Sequence, residues 1–207
     1  DFELDEIVSA SHGLLEWARD SGSVGNLVFV LGALGDPCYA ERAGLQVTRD
    51  PEDLPDCRAV LVGEKEYDWM RMITAAFNHL RVNPDVPLVV PNPDVCFLGK
   101  DGYLHCASGA IAEFLALLCR NYARDLEPLY LGKPYQPIFE TNHHRFEKRL
   151  GQPLRRERVL IIGDSLTGDI RGGKEFGYKT AFVLGGITTE AMFRQSDIRP
   201  DVLFERL

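Results

Sequence analysis

The sequence predicts an α/β fold with a parallel sheet, and three observations support this prediction. Six short runs rich in apolar and β-branched residues are each followed directly by a glycine or a proline, which is typical of buried strands. Stretches with helical periodicity alternate with these runs along the chain. No internal repeat or low-complexity tract interrupts the alternation. Strands that alternate with helices in this way are parallel, and right-handed crossovers connect them.

The individual elements follow from local patterns, taken in chain order. Each predicted strand is apolar, contains no proline, and stops at a residue that breaks the extended run. The predicted strands are Leu27–Leu31, Ala59–Val62, Leu88–Val90, Leu129–Leu131, Val159–Ile162 and Thr180–Leu184. The helical stretches place apolar residues three and four positions apart, so that one helix face is apolar. The predicted helices are Asp68–Leu80, Ser108–Tyr122, Pro137–Leu150 and Leu166–Phe176.

Composition and charge narrow the classes of partner. The chain has 207 residues, 45% of them hydrophobic, which is enough for one large domain or two modest ones. A net charge of −8 at pH 7 opposes binding to nucleic acid or to an anionic membrane surface, because both are polyanions. No apolar run approaches the roughly 18 residues that a membrane-spanning helix needs. We therefore expect no nucleic-acid partner and no membrane partner.

The cysteine pattern indicates the cellular compartment in which we expect the protein. They are five in number, and no two of them form a C-x-x-C pair, so the pattern suggests neither a zinc knuckle nor a disulfide framework. The first residues are acidic where a signal peptide is basic. A protein of the reducing cytoplasm is the expectation that follows from these two observations.

Two segments that do not continue the helix and strand patterns suggest how the chain divides into domains. The first is the turn Ser21-Gly22-Ser23, and the second runs from Arg124 to Pro128. Between them we expect an inserted module at about 22–126. Residues 1–21 and 127–207 then form the domain that receives the insertion.

Two aspartates follow the predicted strand Val159–Ile162. Asp164 comes after a glycine at the carboxyl end of this strand, where open α/β sheets place their ligands. Asp169 stands five residues later, at the start of the next helix, and can reach the same place. Two converging carboxylates form the oxygen-rich site that Mg²⁺ prefers. The alternative is that Asp164 ends a strand and Asp169 decorates a helix start, which is common.

A lysine stands at the end of another predicted strand. Lys133 lies between Gly132 and Pro134, directly after Leu129–Leu131. A lysine in this position is able to neutralise a phosphate group and the carboxylates around it as a point cation. Taken by itself, the segment is better explained by an exposed loop lysine.

The order of these segments resembles motifs three and four of the haloacid dehalogenase superfamily, in which a strand-end lysine precedes a strand-end Gly-Asp and a further aspartate. More narrowly, Pro91-Asn92-Pro93-Asp94, Ser108-Gly109-Ala110 and Leu131-Gly132-Lys133-Pro134 resemble the NagD-like and p-nitrophenylphosphatase branch. The resemblance runs from about Asp5 to Leu207 and is weak across residues 20–90. It implies a Rossmann-like core, residues 1–21 and 127–207, and an inserted α/β cap, residues 22–126.

The resemblance also implies an activity and the roles of particular residues. The complete protein would be a Mg²⁺-dependent phosphomonoesterase acting on a small phosphorylated metabolite through an aspartyl-phosphate. Asp164 would bind the metal, Asp169 would hold the metal's water or the Asp164 loop, and Lys133 would offset the negative charge. Ser165 would help to position the loop, and Asn92 and Asp94 would face the substrate from the cap.

The sequence departs from the family at the nucleophile. The family attacks phosphorus with the first aspartate of a D-x-D-G motif, and no D-x-D occurs in the 207 residues. A second motif of the family contributes a serine or threonine to the phosphate, and we find no counterpart of it in the 207 residues either. Asp1-Phe2-Glu3 and Glu52-Asp53 lack the strand and the glycine of such a motif. Without this aspartate no covalent intermediate can form, so we expect the 207 residues alone to be inactive and the nucleophile to lie outside them.

Several alternatives remain open at this point. A non-catalytic protein with the same fold could bind a phosphorylated ligand or a partner chain in the same crevice. The tetrapeptide Gly163-Asp164-Ser165-Leu166 also spells the motif of GDSL esterases, but that mechanism needs a histidine after the serine, and all five histidines precede Ser165.

Other polar and apolar clusters have plainer interpretations. Asn92 and Asp94 fit an Asx-type turn around Pro93 better than a substrate role. Adjacent histidines, His143 and His144, point about 100° apart on a helix and cannot easily share an ion, so we expect an exposed helix face. An apolar cluster in the helix Asp68–Leu80 is expected to pack on its own sheet, and a homodimer through the cap is the alternative.

Overall fold

The computed structural model describes residues 6–64 and 67–205. Residues 1–5, which include the segment Asp1-Phe2-Glu3 and the start of the predicted core segment 1–21, lie outside the described residues. The chain separates into two compact units. The first comprises Asp1–Gly99 and Tyr103–Gly132, and the second comprises Lys100–Gly102 and Lys133–Leu207.

The first unit is a five-stranded parallel sheet covered by helices on both faces. Its strands are β1 (Leu27–Leu31), β2 (Gln46–Thr48), β3 (Val60–Val62), β4 (Leu88–Val90) and β7 (Leu129–Tyr130), in the spatial order β2-β1-β3-β4-β7. The pairings are all parallel, with Phe29 opposite Val60 and Val89 opposite Leu129, for example. The helices of this unit are α1 (Ala10–Asp20), α2 (Tyr39–Arg42), α3 (Trp69–Val82) and α4 (Ser108–Tyr122), and Pro51–Asp56 form a 3-10 helix.

Alternate residues of each strand point into two separate cores, because successive side chains of a strand face opposite sides of the sheet. Phe29 and Leu31 pack with residues of α3 and α4 on one face. Val28 and Val30 pack with Leu14 and other residues of α1 and α2 on the opposite face. The central strands β1, β3 and β4 are buried on both faces, which explains why their sequences are continuous apolar runs rather than alternating ones.

A short antiparallel hairpin follows β4. Its strands are β5 (Cys96–Leu98) and β6 (Leu104–Cys106), and α4 begins directly after it. Most of its large apolar side chains are exposed, including Leu98 and Leu104. The hairpin therefore stands outside the main sheet of the unit.

The second unit contains a three-stranded parallel sheet in the order β10-β9-β8. The strands are β8 (Leu160–Gly163), β9 (Lys179–Val183) and β10 (Val202–Phe204), and the helices are α5 (Gln136–Leu150), α6 (Gly172–Phe176) and α7 (Glu190–Gln195). Arg156–Arg158 form a 3-10 helix, and Leu166–Arg171 form a π-helical segment that runs into α6. β8 lies at an edge of the sheet, and Leu160 and Ile162 are each 49% exposed there.

The predicted α/β class and parallel sheet are confirmed. Every predicted strand is present to within one residue at each end, and the four predicted helical stretches are helical to within two. The sequence did not predict β2, the hairpin, β10, α1, α2 or α7. No helix among the described residues is long and apolar enough to cross a membrane.

The predicted core-and-cap division does not coincide with the two compact units. Leu14 and Ala18 of α1 share a core with β1, so residues before Ser21 pack in the same unit as residues after it. The second unit begins, apart from residues 100–102, at Lys133 rather than at 127. Compact units and inserted domains are different divisions of a chain, and the assignment of 1–21 and 127–207 to a core and of 22–126 to a cap stays a prediction.

The apolar cluster of α3 behaves as predicted only in part. Met72, Ile73 and Leu80 are buried against the sheet. Trp69 and Met70, in the first turn, are 39% and 71% exposed. The helix is therefore amphipathic, but its first turn extends beyond the surface that the sheet covers.

Candidate active site

Asp164 lies at the carboxyl end of β8, in the first position after Gly163. Its side chain is exposed, and one carboxylate oxygen, Oδ2, accepts the backbone N–H of Ile187 at 3.0 Å. Its carbonyl oxygen accepts the N–H of Thr188 at 3.3 Å. The loop that follows β9 therefore closes over the end of β8 and fixes the direction of this aspartate.

Asp169 lies in the π-helical segment and is buried, with 5% of its surface exposed. One carboxylate oxygen, Oδ2, accepts the N–H of Ser165 at 3.1 Å, and the other, Oδ1, accepts a charge-assisted hydrogen bond from Nζ of Lys133. A buried carboxylate is costly unless it is paired, and here both oxygens are satisfied. The side chain of Asp169 therefore lies against the carboxyl end of β8, although Asp169 itself belongs to the helical segment that follows β8.

Lys133 lies three residues before α5 and forms an ion pair with Asp169. Its side chain is about half exposed, whereas that of Asp169 is 7% exposed. One side of the ammonium group is therefore held by the protein, while the other side faces solvent. The structure brings together Lys133 and Asp169, which stand 36 positions apart in the sequence.

Two glycines allow the carboxylates of Asp169 and Asp164 to contact the backbone closely. A Cβ atom at Gly163 would overlap the carboxylate of Asp169, and a Cβ atom at Gly186 would overlap the carboxylate of Asp164. The backbone of β8 and the backbone of the loop after β9 are thus each in contact with one acidic side chain. Gly163 and Gly186 are needed for this close approach and not for an unusual backbone conformation.

Ser165 caps the π-helical segment. Its hydroxyl accepts the N–H of Gly168 at 2.9 Å, and its backbone N–H donates to Asp169. Thr188, which is buried, accepts the N–H of Leu166 through its hydroxyl at 3.2 Å. A serine whose oxygen accepts a helix N–H is positioned as a cap, and this contact gives no support to the esterase alternative.

Sequence reasoning did not identify the loop that holds Asp164. Ile187 acts through its backbone N–H and Thr188 through its hydroxyl, and neither contact has a motif of its own. The signal in the sequence is the pair Gly185-Gly186 directly after an apolar strand, because successive glycines permit a backbone to approach another chain segment closely.

The residues at the end of β8 fit a hard divalent cation in their chemistry. Asp164 and Asp169 supply carboxylate oxygens, and Mg²⁺ is usually bound by one or two protein carboxylates while it keeps several waters. Asp169 already has a partner at each oxygen, so Asp164 is the residue that would hold the ion directly. Among the described residues, no group of three or more histidines, cysteines or acids surrounds a common point.

Asn92 and Asp94 lie in the first unit, in the turn after β4. The side chain of Asn92 donates to Glu64 at 3.0 Å and accepts the N–H of Asp94 at 3.3 Å, and its carbonyl oxygen accepts the hydroxyl of Ser108 at 2.7 Å. Asn92 therefore forms the Asx-type turn that the sequence offered as the alternative. Asp94 is exposed, and a substrate role for either residue stays a prediction.

The prediction that His143 and His144 lie on an exposed helix face is wrong for His143. His143 is 8% exposed, and its ring nitrogens Nε2 and Nδ1 are hydrogen-bonded to the carbonyl oxygen of Leu154 at 2.9 Å and to the hydroxyl of Tyr178 at 3.1 Å. Burial raises the pKa of Tyr178 to about 12, so this hydroxyl keeps its proton. The sequence shows only which helix face a residue occupies, and the face of His143 packs on the ring of Phe176.

The comparisons with known proteins identify the family to which the residues of this site belong. Residues 130–207, which contain Lys133, Asp164 and Asp169, match the HAD-hydrolase-like family. These residues belong to the HAD-like hydrolases. The HAD-like match covers the whole second unit except residues 100–102.

Relatives and solved structures extend the HAD-like similarity to residues that precede residue 130. Chronophin from Rattus norvegicus is 33% identical over 162 residues, covering 78% of this chain and 48% of chronophin. The chain spans about half the length of the curated relatives that it matches first. A p-nitrophenyl phosphatase from Archaeoglobus fulgidus has a TM-score of 0.78 at 24% identity, and NagD from E. coli K-12 has a TM-score of 0.75 at 22% identity.

These solved structures share the fold of this HAD-like chain over its full length. Each alignment covers 100% of this chain, and they cover 74% of the phosphatase and 73% of NagD. The resemblance to the haloacid dehalogenase superfamily is therefore confirmed, and the resemblance to the NagD-like and p-nitrophenylphosphatase branch is confirmed in its fold. The roles of individual residues stay predictions.

Proposed function

We propose that the complete protein is a Mg²⁺-dependent phosphomonoesterase that acts on a small phosphorylated metabolite. The observation that carries the proposal is the ion pair between Lys133 and buried Asp169, whose other oxygen accepts the N–H of Ser165, the residue directly after Asp164 at the carboxyl end of β8. The HAD-like match of residues 130–207 supports it, as does the similarity to a p-nitrophenyl phosphatase. The nucleophilic aspartate comes from a segment outside these 207 residues, so the 207 residues alone do not turn over substrate.

Each residue of the proposed site has a separate role. Asp164 would hold Mg²⁺, which when bound would neutralise phosphate charge and orient the phosphoryl group. Asp169 positions the Asp164 segment through the N–H of Ser165 and positions Lys133 through the ion pair. Lys133 offers the solvent-facing side of its ammonium to a phosphate oxygen. Because Lys133 and Asp169 are already paired before substrate arrives, little reorganisation is needed when charge develops.

The roles of Asn92, Asp94 and Ser165 are narrower. Ser165 acts through its cap and its N–H, which shape the loop between Asp164 and Asp169. We propose that Asn92 shapes the turn after β4 and that the exposed Asp94 contacts the leaving group of the substrate. The proposed partner is thus a small phosphate ester in the cytoplasm, and a homodimer through the cap is compatible with the exposed apolar residues Trp69 and Met70.

A non-catalytic protein with the same fold is the second candidate. The observation that favours it is the absence of any D-x-D from the 207 residues. The same cation and carboxylates would then bind a phosphorylated ligand without cleaving it. The longer reading frame separates the candidates, since a D-x-D-G on an apolar strand upstream favours the enzyme.

Hydrolysis of p-nitrophenyl phosphate by the complete protein tests the proposal. We expect activity that EDTA abolishes and Mg²⁺ restores, and Lys133→Ala should lower turnover on the order of 10²-fold, because one charged contact to the transferring group is lost. Lys148→Ala, which removes an exposed lysine of α5, is the matched control and should retain full turnover. A loss under about threefold for Lys133→Ala would show that this lysine takes no part in catalysis.

A further inference from the structure

The hairpin β5–β6 places two cysteines directly opposite each other. Cys96 is the register partner of Cys106, and the next pairs are Phe97 with His105 and Leu98 with Leu104. The sequence separates the two cysteines by ten positions and contains no C-x-x-C, so only the strand pairing shows that they meet.

The backbone hydrogen bonds define what kind of pair this is. The N–H of Ala107 donates to the carbonyl oxygen of Val95 at 3.0 Å, one residue outside the cysteines on each strand. Cys96 and Cys106 therefore form a non-hydrogen-bonded pair, and their side chains lie on the same face of the hairpin. In such pairs the Cα atoms are about 4.5 Å apart, which is inside the range of about 4.4–6.8 Å that a disulfide spans.

These two thiols are also the accessible ones. Cys106 is exposed and Cys96 is partly exposed, whereas Cys38, Cys57 and Cys119 are buried. Burial raises the pKa of Cys57 to about 11 and raises the pKa of Cys119, which keeps both thiols protonated. The thiolate is the reactive form, so an oxidant in solution meets Cys96 and Cys106 first.

We propose that Cys96 and Cys106 form a reversible intramolecular disulfide by exchange with a low-molecular-weight disulfide such as oxidised glutathione. The Cys106 thiolate attacks one sulfur of the reagent, forms a mixed disulfide and expels one glutathione thiolate. The Cys96 thiolate then attacks the Cys106 sulfur and expels the second. The protein loses two electrons and two protons, and the reagent gains them as two molecules of reduced glutathione.

The disulfide would fix the connection between the turn after β4 and α4. Val95 and Ala107, which flank the pair, are hydrogen-bonded to each other, and the N–H of Gly109 donates to the carbonyl oxygen of Asp94 at 2.9 Å. Oxidation closes a ring from Cys96 to Cys106 and restricts the unfolded chain, so it should raise the melting temperature by on the order of 5 °C. The proposal does not depend on the proposed enzymatic activity.

Peptide mapping after incubation in graded glutathione redox buffers tests the proposal. We expect one product in which Cys96 and Cys106 are cross-linked within one chain and the other three cysteines remain free, at every protein concentration. In Cys106→Ser and Cys96→Ser the remaining thiol should instead carry a single glutathione. Two glutathione adducts without a cross-link, or a cross-link that forms only between chains, would overturn the proposal.

A control variant that moves one cysteine along the strand shows whether the pairing of Cys96 with Cys106 is what allows the disulfide to form. In Cys106→Ser with Leu104→Cys, the second thiol moves two positions along the same face, to a diagonal site where the Cα atoms are about 7–8 Å apart. The cross-linked fraction, expressed as the ratio of disulfide to dithiol, should fall at least about tenfold in the same buffer because a disulfide cannot span this distance without backbone movement. An unchanged ratio would mean that the register does not bring the thiols together and would refute the proposal.

Discussion

Asp169 is a buried carboxylate whose two oxygens bind the N–H of Ser165 and the ammonium of Lys133. An ionised carboxylate that loses one partner inside a protein bears the full cost of desolvation, so the contact should be visible in stability as well as in catalysis. The half exposure of Lys133 reduces this effect, since water screens part of the interaction.

A double-mutant cycle of Lys133→Met and Asp169→Asn, followed by urea unfolding, measures the contact. Each single change should lower the free energy of unfolding by about 1–2 kcal/mol, and the coupling energy should be about 1 kcal/mol, because the double variant leaves no charge unpaired. The exposed pair Glu190 and Arg194 in α7 is the matched control and should give a few tenths of a kcal/mol. Equal coupling energies for the two pairs would contradict the ion pair described above.

Residue patterns predicted some of the site and not the rest. Lys133 and Asp164 were singled out because they follow apolar strands directly, and Asp169 because it stands five residues after Asp164 at a helix start. Their roles stay predictions. The contacts of Ile187 and Thr188 were not, because a backbone N–H has no sequence signature. His143 was misassigned for a related reason: periodicity gives the angle around a helix, and only packing shows which angle faces the core.

The strands also show which structures could be predicted from the sequence and which could not. Strands buried on both faces, such as β1, β3 and β4, are continuous apolar runs and were predicted to within one residue. β2 and β10 are short edge strands with exposed residues, and the hairpin is exposed as well, so none of them has a distinct apolar pattern. β8 was predicted as a buried strand, but Leu160 and Ile162 remain half exposed at its open edge.

β9 and β10 are joined at one end by a carboxylate. Asp201, which directly precedes β10, accepts the N–H of Thr180 at 2.8 Å and the hydroxyl of Thr180 at 3.0 Å. These hydrogen bonds from Thr180 hold the pKa of Asp201 below its ordinary value. A carboxyl group whose pKa is lowered on folding stabilises the protein above its unfolded pKa, and this stabilisation is lost as the pH falls through the folded pKa.

The substitution Asp201→Asn should therefore change how the stability of the protein depends on pH at acid pH. At pH 7 the variant should lose on the order of 1 kcal/mol, since Asp201 is largely exposed and its hydrogen bonds are screened. Below about pH 4, where the unfolded carboxyl takes up a proton, the difference from the unmodified protein should shrink. Melting temperatures measured from pH 7 to pH 3 check this, and a difference that stays constant across the range would contradict it.

For the whole molecule, local patterns predicted the class of fold but not the two compact units into which the chain separates. Alternating strands and helices established an α/β protein, whereas turns near Ser21 and Arg124 suggested boundaries that differ from those of the compact units. The reason is that α1 has a short apolar face whose partner, the face of β1 that carries Val28 and Val30, cannot be identified from the sequence. The net charge of −8 opposes the approach of anions to the surface as a whole, so the proposed phosphate ester would need a local cation such as Lys133.

The central claim is that Lys133, Asp164 and Asp169 form one site for a divalent cation and a phosphate group. The most direct measurement is a Mg²⁺ titration of the ¹⁵N-labelled chain, followed through the amide signals of Ser165 and Ile187, whose N–H groups donate to the two aspartates. We predict saturable shifts at both amides and at least about a tenfold loss of affinity in Asp164→Asn. Shifts that are absent, or an affinity that Asp164→Asn leaves unchanged, would contradict the claim.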